Sequence, residues 1–266
     1  SGAWCRSLNV WKHYLIIITM HIQFFYPFFQ CVKIKIRVEL SGASPFAYKV
    51  AEQFGIKVWP TRAGLVPLTL DVQEKEKSSL LSGIGIDSIA SNEQIEFREH
   101  ILFTHRGLSG PAILQLSSFW KPGETICINL LPEINLLSTL KSARINKPQK
   151  QLNSILANYL PKRVIEIFIT SELAEKKLAN LSNHDLNTVA KQINSWLVKP
   201  NGTEGYRTAE VTLGGVDCNA VSSKTMEVNE VPGLYFIGEA LDVTGWLGGY
   251  NFQWAWSSGW AAGQVV

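Results

Sequence analysis

Apolar and polar residues alternate through Val32-Lys33-Ile34-Lys35-Ile36-Arg37-Val38, which predicts a half-buried strand with a basic outer face. The period then becomes helical. Phe46, Val50 and Phe54 fall four apart, with Ser44 as N-cap, Pro45 at the first helical position and Gly55 as the stop. Strand-like runs come next at Leu65–Leu70, Leu80–Ile86, Gln94–Thr104 and Thr125–Leu131, and Glu74-Lys-Glu-Lys77 reads as a charged hairpin tip. Leu152, Ile155, Leu156 and Tyr159 mark a helix that Pro161 ends, and a second helix opens near Pro161. A capping-box-like start at Ser182-Asn-His-Asp185 leads into a third, with Leu186, Val189, Ile193, Trp196 and Leu197 on one face. Residues 206–213 return to strand. Leu234–Ile237 forms a short apolar strand, and a last helix begins near Asn251. Strands, a helical block and strands again predict an insertion rather than a tandem array.

Composition changes this picture in two places. With 46% hydrophobic and 18% charged residues over 266 positions, the chain can fill a large core, which excludes a disordered class. Residues 1–40 hold eight of its 28 aromatics and five bases (Arg6, Lys12, Lys33, Lys35, Arg37) against Glu39. They read as an atypical leader unrelated to the rest of the chain. The other 226 residues carry 20 bases and 21 acids, so no basic face and no nucleic-acid partner is expected. Tyr14–Phe29 is short for a membrane span and is broken by His21 and Gln23, so no membrane partner is expected. Cys5, Cys31, Cys127 and Cys218 are scattered, which fits reduced thiols and a cytoplasmic protein. The histidines show no metal-ligand spacing.

Candidate chemistry gathers near the end of the chain. Val231-Pro-Gly-Leu-Tyr-Phe-Ile-Gly238-Glu239 is a turn and a buried-type strand that ends in a small residue and a carboxylate, as at nucleotide sites of doubly wound folds. Gly248 and Gly249 then make a flexible turn before a helix whose Ala255, Ser258, Gly259 and Ala262 form a small-residue face. The N-terminus of that helix would offer N–H groups to an electron-rich ligand edge. A core helix behind a glycine turn is an equally ready reading. Thr104-His-Arg-Gly-Leu-Ser-Gly-Pro111 is no nucleophile elbow, and Gly83-Ile-Gly85 lacks the third glycine of a dinucleotide fingerprint.

Glu239-Ala-Leu-Asp-Val-Thr-Gly-Trp-Leu-Gly-Gly-Tyr-Asn-Phe-Gln-Trp-Ala-Trp-Ser-Ser-Gly259 resembles the C-terminal signature of the YhiN-like (BaiN-type, aminoacetone-oxidase-like) flavoproteins. Phe103–Leu114, Thr212–Val216 and Ala43–Gly55 also resemble segments of that family, in the same order. The resemblance covers about 41–266. It implies an α/β fold: a FAD-binding, Rossmann-like domain from 41–60 and 214–266, incomplete at its N-terminus. A β-rich domain (61–137 and 203–213) and a helical, lid-like subdomain (138–202) are inserted into it. It further implies FAD as cofactor, NAD(P)H as electron donor and a small-molecule substrate. By the same resemblance Gly238, Glu239, Gly248, Gly249, Tyr250, Asn251, Phe252 and Gln253 bind the cofactor. Glu239 would hold the ribityl chain, and the backbone of Gly249 to Gln253 would face the pyrimidine edge of the flavin. Nothing in 1–40 resembles the phosphate-binding turn that opens such enzymes. The chain therefore reads as the C-terminal part of an oxidoreductase with weakened FAD retention, or as a non-catalytic fragment of one.

Overall fold

A computed structural model describes the backbone of Leu15–Thr19 and residues 44–266. The first elements are β1 (Leu15–Thr19), α1 (Phe46–Gln53), β2 (Val58–Gly64), β3 (Leu68–Thr69), α2 (Val72–Leu80) and β4 (Gly85–Ser91). Then come β5 (Glu96–Phe103), β6 (Gly107–Ser109), α3 (Pro111–Ser117), β7 (Ile126–Asn129) and α4 (Leu136–Asn146). Four short helices, α5 (Leu152–Leu156), α6 (Lys162–Phe168), α7 (Ser171–Glu175) and α8 (Asn183–Asn194), lead to β8 (Trp196–Val198) and β9 (Gly202–Thr203). The chain closes with β10 (Val211–Val216), β11 (Leu234–Gly238) and α9 (Tyr250–Gly263). Contacts divide this mixed α/β chain into two units, Ser1–Gly64 with Gly205–Val266, and Leu65–Glu204.

In the first unit β1 runs parallel to β11 in continuous register, from Leu15 opposite Leu234 to Thr19 opposite Gly238. The alternating segment Val32–Val38 lies outside the described residues. Within residues 1–40 the described strand is Leu15–Thr19, which the alternation pattern did not mark. All five residues of β11 are buried. A strand at such a position reads as an unbroken apolar run rather than an alternation, and Leu15-Ile-Ile-Ile-Thr19 is one. Ala47, Val50 and Ala51 of α1 are buried in one cluster with Val216, Phe236 and Ala240, while Phe46 and Phe54 stay exposed. The small alanines, not the phenylalanines expected on that face, make the close contact. β10 pairs antiparallel with β2 and shifts register between Leu213 and Gly215. At that shift Gly214 has φ +80°, and a Cβ there would sit 2.2 Å from the Pro60 carbonyl oxygen. No side chain fits at such a backbone approach.

The second unit is a seven-stranded antiparallel sheet in the order β8-β7-β4-β5-β6-β3-β9. Residues 199–201 join its two edge strands, and four residue steps span at most about 14 Å. The edges therefore lie close and the sheet curls towards a barrel. One buried cluster runs through strands and helices alike, from Leu68, Phe103 and Ile128 to Leu140, Leu156 and Leu186. Glu74–Lys77 is not a hairpin tip. It lies in α2, where the Asp71 carboxylate caps the helix by accepting from the Glu74 N–H at 3.0 Å. Trp196 and Leu197 are likewise strand residues of β8 rather than the end of α8. Trp196 leaves the helical face because it stacks on Phe103 (6.0 Å between centroids) and meets Phe168 edge-on at 4.9 Å.

Candidate functional site

β11 delivers Gly238 and Glu239 to its carboxyl end, and α9 is stitched onto that end. The Gly238 N–H donates to Ser258 Oγ (3.0 Å), and Trp254 Nε1 donates to the Gly238 carbonyl (3.0 Å). Gly238 turns the chain there at φ +62°. Ala255, Ser258 and Ala262 are buried, and a Cβ on Gly259 would meet Ile237 Cδ1 at 3.4 Å. The small-residue face thus brings the helix axis close to the strand.

Glu239 comes directly after and is 8% exposed. Burial pushes its carboxyl up from 4.5 to about 7, so near neutrality it is present both as acid and as carboxylate. The Tyr48 phenol is pushed up to about 12, first by burial, then by the charge of Glu239 and of Tyr206. The site therefore keeps an acidic group and a phenol together in a poorly solvated place.

The approach to α9 is held by Asn251. Its Oδ1 accepts from the Gly245 N–H (2.7 Å) and its Nδ2 donates to the Gly245 carbonyl (3.0 Å). Its side chain is thus the clasp of the loop, and only its backbone is left to face a ligand. Gly248 (φ +121°) and Gly249 (φ +90°) make the turn, and the Cβ position of Gly249 has nothing within 4 Å. The Gln253 N–H bonds to the Gly249 carbonyl at 2.9 Å, and the Gln253 side chain donates to Ser257. Gln253 is therefore spent inside the helix. The N–H groups of Tyr250, Asn251 and Phe252 precede that first helical bond and lie outside the ladder. Tyr250 and Phe252 expose 62% and 52% of their surface.

Of the eight residues expected here, the structure gathers all at the β11–α9 junction, each in the role just described. Sequence reasoning missed Tyr48 and Trp254, and read Ser258 only as part of the packing face and not as the partner of the Gly238 N–H. Trp254 had a legible signal, since it lies one turn before Ser258 on the helix face that meets β11. Thr104–Pro111 serves structure instead: Thr104 Oγ1 accepts from the Arg106 and Gly107 N–H groups, and Pro111 opens α3. Among the described residues no group of His, Cys, Asp and Glu could hold a metal ion, and no helix is long and apolar enough to cross a membrane.

Residues 62–211 match the HI0933-like protein barrel and H2TH domain, a span that contains the whole curled-sheet unit. The chain belongs to the HI0933-like family. It is 56% identical over 225 residues to the ribosomal RNA dihydrouridine synthase of Escherichia coli K12, covering 84% of this chain and 56% of that protein. It is 51% identical over 222 residues to the enzyme of the same name from Haemophilus influenzae Rd, covering 83% of this chain and 55% of that one. A 3-dehydro-bile acid delta(4,6)-reductase of Clostridium scindens matches at 27% over 244 residues, covering 85% of this chain and 58% of that protein. This HI0933-like chain thus spans about half the length of the curated relatives it matches.

Two expectations are corrected by these matches. The assignment to YhiN-like, BaiN-type oxidoreductases gives way to the HI0933-like family, because the high-identity relatives are ribosomal RNA dihydrouridine synthases and the reductase is distant. The exclusion of nucleic acid partners falls as well, because those relatives act on ribosomal RNA. That expectation rested on the near balance of 20 bases and 21 acids outside residues 1–40, a total that says nothing about where the charges lie.

Proposed function

We propose that this chain contributes the flavin-facing part of an enzyme that reduces uridine in ribosomal RNA to dihydrouridine. The observation that carries the reading is the start of α9, opened by Gly249 and fixed to the end of β11 beside the buried Glu239. High identity to two ribosomal RNA dihydrouridine synthases supplies the substrate class.

Dihydrouridine differs from uridine by a hydride and a proton added across the C5=C6 bond, which is conjugated to the C4 carbonyl. The name of the distant relative also describes saturation of carbon–carbon double bonds in an oxo compound. When bound, FAD would supply the hydride for carbon 6, with NAD(P)H restoring it and a proton arriving at carbon 5. The residues of this chain fit such a cofactor. The N–H groups of Tyr250, Asn251 and Phe252, at the positive end of a 14-residue helix, oppose negative charge on a ring edge. Gly249 leaves open space at that edge, and Glu239 in its carboxylate form accepts hydrogen bonds from polyol hydroxyls. Trp254 and Ser258 hold the helix still while this occurs, and Asn251 fixes the loop before it.

The test is to incubate protein-free ribosomal RNA with the chain, FAD and NADPH, then to digest it and quantify dihydrouridine by mass spectrometry. Dihydrouridine is expected only when all three are present. Bound and reducible FAD with unchanged uridine would overturn the reading.

A further inference from the structure

Charge in the second unit is segregated. Residues 65–135 hold five Lys and Arg against nine Asp and Glu, whereas 136–200 hold ten against four. The acids of the helical segment are largely engaged. Glu166 pairs with Lys162 and Glu172 with Lys176, while Asp185 closes the capping box with Ser182. Among the described residues the remaining Lys and Arg of this segment form no ion pair, which leaves a net positive surface for an anionic partner.

Part of that charge is held on a rigid support. The turn after α4 and the segment after α7 are laced together by the backbone. The Leu178 N–H donates to the Lys150 carbonyl (2.9 Å), the Leu152 N–H to that of Lys176 (3.1 Å) and the Ala179 N–H to that of Pro148 (3.0 Å). Gln151 and Lys177 are antiparallel bridge partners, and Lys177 Nζ donates to the neutral Gln149 Oε1 at 3.0 Å. Lys147, Lys150 and Lys177 are all exposed, and among the described residues none of the three is ion-paired. Lys147 stands at the C-terminus of α4, where it also favours the helix dipole. Lys177 flanks the N-terminal end of a short 3-10 turn (Leu178–Asn180) and Lys150 directly precedes the N-cap of α5, so neither gains from a helix dipole.

We propose that Lys147, Lys150 and Lys177 form a docking surface for the phosphate backbone of ribosomal RNA. This rests on the reading of the chain as acting on that RNA. Ammonium groups on a fixed two-segment support, none of them paired to a carboxylate among the described residues, suit a run of phosphates and release its counterions on contact. Such contacts position the RNA without reading its sequence.

The test measures binding of the full chain to a fluorescent, protein-free ribosomal RNA fragment by anisotropy across a salt series. The variant K147Q/K150Q/K177Q is expected to lose at least tenfold in affinity near physiological salt. Its plot of log affinity against log salt should be shallower by about 2, since each phosphate contact contributes roughly 0.7–0.9 to the slope. The arginine variant K147R/K150R/K177R should bind like the natural chain, and so should K75Q/K121Q in the acidic half. Equal affinity and slope for the glutamine variant, or no RNA binding by the natural chain, would overturn the surface. Poly-glutamate competing as well as RNA at equal charge would overturn it in favour of an acidic protein partner. Dihydrouridine formation is a separate readout. If it persists while the glutamine variant binds unchanged, the surface falls and the proposed reaction stands.

Discussion

At the scale of single residues, Glu239 sets the most direct prediction. Its folded-state carboxyl titrates near 7 against 4.5 when solvated, so between those values the folded chain binds more protons than the unfolded chain. Stability is therefore fullest below about pH 4.5 on this group's account, falls as pH rises towards 7 and is flat above. The full difference is at most about 3 kcal/mol. Glu239→Gln should flatten this dependence and raise the denaturation midpoint at pH 8 above that of the natural chain, and urea unfolding at pH 5 and pH 8 checks it. An unchanged pH profile would mean that Glu239 is solvated. Gly238 and Glu239 were legible because a strand-type apolar run must end, and its last small residue and first carboxylate stand out. Tyr48 was not, since only the fold brings α1 near the end of β11. The clasp by Asn251 was hidden for a similar reason, as its two bonds depend on how the loop from Gly245 curls.

At the scale of elements, local signals succeeded where one short stretch decides the outcome. The Ser182–Asp185 capping box opens α8 as its spacing requires, with reciprocal bonds at 3.1 Å and 2.9 Å. They failed where tertiary contacts decide. α4 buries only Leu136 and Leu140 and shows too thin a stripe to be read, yet it forms because its start is gripped from afar. Asn194, at the end of α8, accepts from the Leu136 N–H (2.9 Å) and donates to Asn129 Oδ1 and to the Leu131 and Ile134 carbonyls. Asn194→Ala removes the bond from the Leu136 N–H and an amide group whose two hydrogens are shared among three acceptors, and leaves partly buried polar groups unpaired. A loss of about 2–3 kcal/mol is expected by thermal or urea unfolding. A loss below about 0.5 kcal/mol would show that water replaces the network.

At the scale of the whole chain, two units carry two different tasks in this account. The HI0933-like match covers the curled sheet and its helices, which bear the segregated charge, while the β11–α9 junction belongs to the other unit. The near-zero net charge of residues 41–266 hid an uneven distribution, because an acidic sheet segment and a basic helical segment offset one another within it. The family resemblance read from short motifs captured the oxidoreductase-like character in outline but not the family, because motifs at a cofactor edge say little about the substrate. The start of α9 is proposed to hold the flavin, and a titration of FAD into the purified chain, read by the quenching of flavin fluorescence, reports that binding. The natural chain should show saturable quenching. Gly249→Val, which forces a β-branched side chain into φ +90° and into the open space at the helix start, should weaken binding at least tenfold. No binding by the natural chain, or equal binding by both, would contradict the account.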